Sequence, residues 1–509
     1  MNKYRFMTAA AAMMGAMGLA AEPAERPNIV LFLVDDMGWQ DTSLPFHSET
    51  TPLNRRYHTP NMERLAEMGA KFTSAYACSI SSPSRCSLLT GMNAARHRVT
   101  NWTLNRNQST DAQAPGVTLP QWNVNGIQPV GGIERSTEAT TFVKLLKESG
   151  YHTIHCGKAH FGAIGTPAAD PLTMGFDVNI SGHAGGALAS YLGEQRFGHN
   201  AAGEPTSSFS IPGLEQYWDK DVFATEALTL EALKALDQST ALDNPFFLYM
   251  SHYAVHIPIM PDKRFLSKYL DAGLSDTEAA YATLLEGMDK SLGDILDWLE
   301  QNGKIDNTVV LFMSDNGGLA HSNRTPPLAV QNAPLRSGKG SAYEGGVREP
   351  MIVYWPGVTS PGSVVDDCVM IDDFFPTILE MAGISDWKTV QTVDGQSFVP
   401  LLHGNASEPR SIYWNMPNMW VEGDYRHEGI GQTCSVRRGD YKLIYWYKDG
   451  KKELYNIVND ISEADDLASA MPEKVNELSA DLGAFLRSVD AQRPSLTSTG
   501  QPCPWPDEI

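Results

Sequence analysis

The sequence predicts an α/β fold: a large, mainly parallel or mixed sheet sandwiched by helices, followed by a small C-terminal antiparallel sheet with its own helix. Three patterns carry that reading. Strand-length apolar runs alternate with helix-period segments through most of the chain. The runs are continuously apolar, as expected of strands buried on both faces. From about Pro409 the helices give way to short strand candidates joined by tight turns.

Taken in order, Asn28–Val34 is such a run, and it ends abruptly in Asp35-Asp36-Met37-Gly38, which sets two carboxylates at its C-terminal end. Thr59-Pro60-Asn61 opens a helix with Met62, Leu65 and Met68 at helical spacing, and Phe72 starts an extended piece. Ser81 to Gly91 reads as a loop entering a helix. Phe142–Leu146 is helical, and Tyr151–Cys156 is a strand leading into Gly157-Lys158-Ala159-His160. The unit then repeats: helix Thr225–Leu236, strand Pro245–Ser251 and exit loop His252–Pro258, then helix Tyr281–Leu299, strand Asn307–Met313 and exit Ser314-Asp315-Asn316-Gly317-Gly318. Such alternation implies a sheet covered on both faces, with ligands bound beyond the carboxyl ends of the strands. Every polar cluster just named lies at such an exit. Ile412–Trp414, Thr433–Arg437, Tyr441–Trp446 and Glu453–Asn456 form the second sheet, closed by a helix over Pro472–Val489.

The 509 residues contain no repeat or low-complexity linker and read as a main domain over 22–405 with an α+β subdomain over 406–509. Residues 1–21 have the basic head, short apolar middle and small-residue exit of a secretory signal. The apolar run falls short of the roughly 20 residues that span a bilayer. The expectation is export through the secretion machinery to a periplasmic or extracellular location, with no stable membrane insertion. A net charge of -21 argues against non-specific binding to nucleic acid or anionic membrane. An anionic substrate then needs a locally basic pocket. Six cysteines in so long a chain are not a disulfide framework.

Asp35, Asp36, Asp315 and Asn316 supply hard oxygen ligands at two strand exits, a set suited to Ca²⁺ or Mg²⁺ and not to zinc. Arg85, Lys158 and Lys339 can hold negative charge that moves among oxygens during a reaction. His256 and His160 can transfer protons near neutrality.

Ser81-Ser82-Pro83-Ser84-Arg85, with Leu89-Thr90-Gly91 after it, resembles the signature of the formylglycine-dependent sulfatases, of the alkaline phosphatase-like superfamily. Asp35-Asp36, Gly157-Lys158-Ala159-His160, His256-Ile257-Pro258, Asp315-Asn316-Gly317-Gly318 and the lysine loop Lys339–Gly346 resemble that family's other segments, in order. Tyr441-Lys442-Leu443 and Glu453-Leu454-Tyr455-Asn456 resemble its C-terminal domain, so the likeness covers nearly the whole mature chain.

The resemblance implies a sulfuric ester hydrolase of bacterial carbohydrate type, whose nucleophile is made by oxidising Ser81 to an aldehyde. It further implies that hydrated Ser81 ligates the cation, that Arg85 anchors it and that Asp315 assists its deprotonation. Lys158 would bind sulfate, His160 would take the proton in the elimination step, and His256 and Lys339 would serve the leaving group, His256 as general acid. The first signature residue is Ser where many members have Cys, which implies a serine-oxidising radical maturase as partner. The expected substrate is a sulfated saccharide. Loops bearing Trp and Asn, from Asn101-Trp102 to Trp122, around His183 and from Trp414 to Trp420, have sugar-binding composition, and His97, His183, Asn415 and His427 are candidate contacts. The alternatives are a phosphatase, phosphodiesterase or phosphonate hydrolase of the same superfamily, or a catalytically silent sulfated-glycan-binding protein.

Overall fold

The computed structural model describes residues 26–319, 332–405 and 408–509. The segment read as a secretory signal lies outside the described residues. The main sheet contains β1 (Asn28–Val34), β2 (Ala70–Tyr76), β3 (His152–Gly157), β4 (Val178–Ile180), β5 (Phe246–Ser251), β6 (Thr308–Ser314), β7 (Arg348–Tyr354), β8 (Ser363–Val365) and β9 (Val369–Met370). Its order is β8-β2-β7-β6-β1-β5-β3-β4, with β9 also on β2. Only β7 runs against the rest, pairing antiparallel with β6 and β2. The sheet is therefore mixed and mainly parallel.

The continuous apolar character of β1 has the expected cause. Ile29, Leu31 and Leu33 enter one core cluster, with Leu88, Phe142 and Ile378 from three helices. Val30, Phe32 and Val34 enter the other, with Leu65, Leu228 and Leu285. Both faces are thus covered by helices, and neither face can carry polar residues except at the strand ends.

The central position of β1 builds the site. β1 pairs with β5 on one side and β6 on the other, in register Leu33↔Ser251 and Val34↔Ser314, and β3 pairs with β5 at Gly157↔Ser251. Four exit loops thereby meet at one edge. Backbone bonds beyond the ladder stitch them together: Asp315 N–H to Val34 O at 3.0 Å, Lys158 N–H to Ser251 O at 2.7 Å, and Asp35 N–H to Ala254 O at 2.9 Å.

The second sheet comprises β10 (Ser411–Met416), β11 (Thr433–Arg438), β12 (Tyr441–Trp446) and β13 (Lys452–Asn456), all antiparallel neighbours. Helix Pro472–Ser488 packs Leu478, Leu482 and Leu486 onto it, against Val436 and Leu443. This sheet also joins the main core: Trp414 donates its Nε1–H to Ala77 O at 2.8 Å and meets Tyr76 edge-on. All six cysteines are unpaired. No helix among the described residues is long and apolar enough to cross a membrane.

Candidate active site

Ser81 is not in a loop that enters a helix; it opens the helix itself, Ser81–Thr90. Pro83 causes no conflict there, because first-turn N–H groups have no intrahelical acceptor. Every residue of that helix is buried. It ends at Gly91, whose φ of 66° is left-handed and whose added Cβ would lie 2.8 Å from Val393. Ser81 and Arg85 stand one turn apart and share a face, which turns both toward the strand exits.

There the Ser81 hydroxyl lies 3.1 Å from Lys158 Nζ, 3.0 Å from Asn316 Oδ1 and 3.2 Å from Asp35 Oδ1. Lys158 also donates to Asp35 Oδ2 at 2.7 Å. Arg85 donates through Nε to Asp315 Oδ2 at 2.8 Å and through Nη1 to Ser251 Oγ at 2.6 Å. Asp36 Oδ1 accepts from Lys339 Nζ at 2.5 Å and from Asn316 Nδ2 at 2.8 Å. His256 Nε2 stands 3.6 Å from Asp36 Oδ2, while its Nδ1–H is spent on Ile257 O at 2.9 Å. His160 Nε2 bonds Thr103 O at 2.9 Å, which leaves Nδ1 buried without a partner. Asp36 and His160 are both non-glycine residues with φ of 61°, a backbone strain that clusters at functional sites.

The electrostatics are unusual in both directions. Burial raises Asp35 to about 7, with Asp315 and Asp36 adding to the rise and Lys158 opposing it. Burial also acts on Asp36, but Lys339, His256 and Lys158 together overcome it and hold that carboxyl below its ordinary value. Lys158 is pushed down to about 8 by burial, against the pull of Asp35. His160 and His256 are held well below the usual imidazole value, mainly by burial.

The donor set fits a hard divalent cation. Asp35, Asp36, Asp315 and Asn316 are at most 2% exposed, and all offer oxygen. Ligand atoms of Asp35, Asp36 and His256 lie within 4.8 Å of one another.

Ser81, Lys158, His160, His256 and Lys339 all face a cavity of about 600 Å³, within the ~300–1,000 Å³ usual for small-molecule sites. Arg85 and the carboxylates lie beneath its floor. Trp102 and Trp420, from two of the loops expected to meet sugar, line it.

The other expected contacts lie elsewhere. His97 is wholly buried, with Nε2 on Ser87 Oγ and Nδ1 accepting from Val99 N–H, so burial holds it neutral and its ring is spent on packing. Asn415 is buried on β10 between Tyr447 and Gln492. His427 stands in a separate cavity of the C-terminal subdomain. His183 does not line the cavity, but its carbonyl accepts from His160 N–H at 3.3 Å. Leu188, Ile257 and Ile259 do line it and have no sequence signal of function. Gly186 carries one: a Cβ there would stand 2.2 Å from the His160 ring, so this glycine keeps space for the imidazole, as Gly185 does for His183.

A buried serine backed by cations and hard-ligand carboxylates, at the strand exits of a mixed α/β sheet, defines a hydrolase of anionic esters. Residues 27–384 match the sulfatase family and residues 338–492 the family described as N-sulphoglucosamine sulphohydrolase, C-terminal; the chain belongs to the sulfatases and is a sulfuric ester hydrolase. A sulfatase of Formosa agariphila is 30% identical, covering 88% of this chain and 86% of its own. The human N-acetylgalactosamine-6-sulfatase is 32% identical over 85% of this chain and 73% of its own. Among solved structures, Ps i-CgsB in complex with k-i-k-neocarrahexaose superposes with a TM-score of 0.72 at 25% identity, over 94% of this chain and 96% of that one.

Proposed function

We propose that the enzyme removes sulfate from a sulfated carbohydrate, with Ser81 oxidised to formylglycine as its nucleophile. The observation that carries this reading is the Ser81 hydroxyl, held between Lys158, Asn316 and Asp35 on the floor of a cavity with indole walls. The saccharide is supported by those indoles and by relatives and neighbours whose names are those of sugar sulfatases.

A hydrated aldehyde at position 81 would supply two hydroxyls, one to displace the sugar alcohol from sulfur and one whose deprotonation releases sulfate and restores the aldehyde. Ca²⁺, or Mg²⁺ in its place, held by Asp35, Asp36, Asp315, Asn316 and residue 81, would supply Lewis-acid polarisation.

The remaining work falls to side chains. Arg85, fixed by Asp315, Ser251 and the Lys158 carbonyl, keeps residue 81 in line. Lys158 is close enough to hold a sulfate oxygen at the nucleophile. His160 spends Nε2–H on a carbonyl, so its open Nδ1 can take the proton that the elimination step releases. His256 exposes Nε2 on the other side, where Asp36 and an arriving sulfate anion favour a proton that passes to the leaving oxygen. Lys339 stands beside it on Asp36.

The basic head and apolar run of residues 1–21 support export to the periplasm or beyond, and serine at position 81 calls for a serine-oxidising radical maturase. Co-expression with such a maturase, followed by peptide mass spectrometry and a sulfate-release assay, tests the proposal. The expected result is formylglycine at position 81 in active enzyme and background turnover in Ser81→Ala. Appreciable sulfate release by that variant overturns the mechanism.

A further inference from the structure

The cavity above Ser81 has two apolar walls that belong to different parts of the core. Ile80, Trp102, Ile257 and Trp420 form one, in a cluster that ties the nucleophile helix to the C-terminal subdomain. Leu188 and Ile259 form the other, which continues into the core on the β5 side of the sheet. Among the described lining residues the only formally charged ones are Lys158 and Lys339. Both lie on the floor, bonded to Asp35 and Asp36, and both are almost wholly buried. Positive charge is therefore concentrated where one sulfate lies, and the walls that flank the ring present indole and aliphatic carbon.

We infer that this cavity selects a sugar ring whose sulfate ester is its only anionic group near the cleaved bond. The inference rests on the sulfatase reading and deepens it. With one sulfate on the floor, the ring carbons next to the sulfated one lie between the walls. A second sulfate on either of those carbons loses water and gains no further cation from the described lining residues, and an unpaired charge in such surroundings is strongly disfavoured. A hydroxyl or acetamido group at the same place carries no such penalty and leaves an apolar ring face for the indoles.

The test separates binding from turnover. Full-length chain made without a maturase, with unmodified Ser81, is titrated calorimetrically in calcium-containing buffer with hexose and N-acetylhexosamine monosulfates and with their vicinal disulfates. The expected result is at least ten-fold tighter binding of the best monosulfate than of its vicinal disulfates, with the gap narrowed by Ile259→Lys, which places a cation on one wall. Equal binding, preference for a disulfate, no binding of any monosulfate, or an unchanged gap in Ile259→Lys each overturns the inference. Matured enzyme is assayed in parallel for sulfate release from the same monosulfates. Failure there refutes the hydrolytic reading, while the calorimetric comparison still decides charge selection.

Discussion

Two clusters of buried charge sit within one chain and have opposite designs. At the strand exits, Asp35, Asp36 and Asp315 face Arg85, Lys158 and Lys339. At the junction of the two sheets, Glu344 and Glu463 face Lys442, with Arg348 and Arg437 behind them. Members of both clusters are nearly inaccessible. The difference is what lies beyond: Lys158 and Lys339 border a cavity, whereas Lys442 is enclosed between Glu344 at 2.9 Å and Glu463 at 3.1 Å. Glu344 is sealed further by the Tyr76 hydroxyl at 2.7 Å. Charge in a protein interior does not by itself mark chemistry. Charge that borders a cavity, where a substrate can reach it, does.

That contrast predicts opposite consequences for removing one lysine from each cluster. Lys158→Ala should lower kcat/KM by about 10²–10³-fold, the scale of losing one positioned donor to developing negative charge, with little change in melting temperature, since water from the cavity can reach Asp35. Lys442→Met should do the reverse. It strands Glu463 and leaves Glu344 to Arg348 and Tyr76, and breaking a buried pair costs about 3–5 kcal/mol, so thermal and denaturant midpoints should fall while turnover per folded molecule changes little. Steady-state kinetics and melting curves on both variants check the pair. If Lys442→Met removes turnover at an unchanged midpoint, the junction cluster is part of the catalytic machinery and the comparison fails.

The sequence made the first cluster more legible than the second. β1, β5 and β6 are buried on both faces and appear as apolar runs, whereas β3, with His152, Thr153 and His155, does not and is marked by the helix end at Ser149-Gly150 before it; the polar residues that follow these strands had to lie at one edge of a parallel sheet. β7 was not legible. It opens Arg348-Glu349-Pro350, a poor strand start by composition, and its antiparallel course depends on β2, far away in sequence. The helix at Ser81 was hidden by its own Ser-Ser-Pro-Ser run, whose polar groups are satisfied by carbonyls such as Cys78 O and Ile80 O. His97 has the composition of a contact and the position of a core residue, a distinction that only its partner Ser87 reveals. Lys442 lies in a segment that resembles the family's C-terminal domain and Glu463 lies just beyond another, but nothing local shows that both reach Glu344.

The smallest expected effect concerns how the sealed cluster responds to pH. Burial raises Glu463 to about 7, Glu344 adds to the rise and Lys442 opposes it. A carboxyl raised above its unfolded value of roughly 4.3 binds more protons folded than unfolded between those two values. Its contribution to stability is then fully present below about pH 4.3 and is lost as pH rises through about 7. Glu463→Gln keeps the shape and cannot ionise, so it lacks this dependence. Melting temperatures of the two proteins should converge or cross in the variant's favour between pH 5 and pH 8, by on the order of 1–3 kcal/mol in relative stability. Parallel melting profiles across that window would show instead that Lys442 holds Glu463 ionised throughout, as Lys339 does for Asp36, and the sealed cluster would then differ from the open one in access alone.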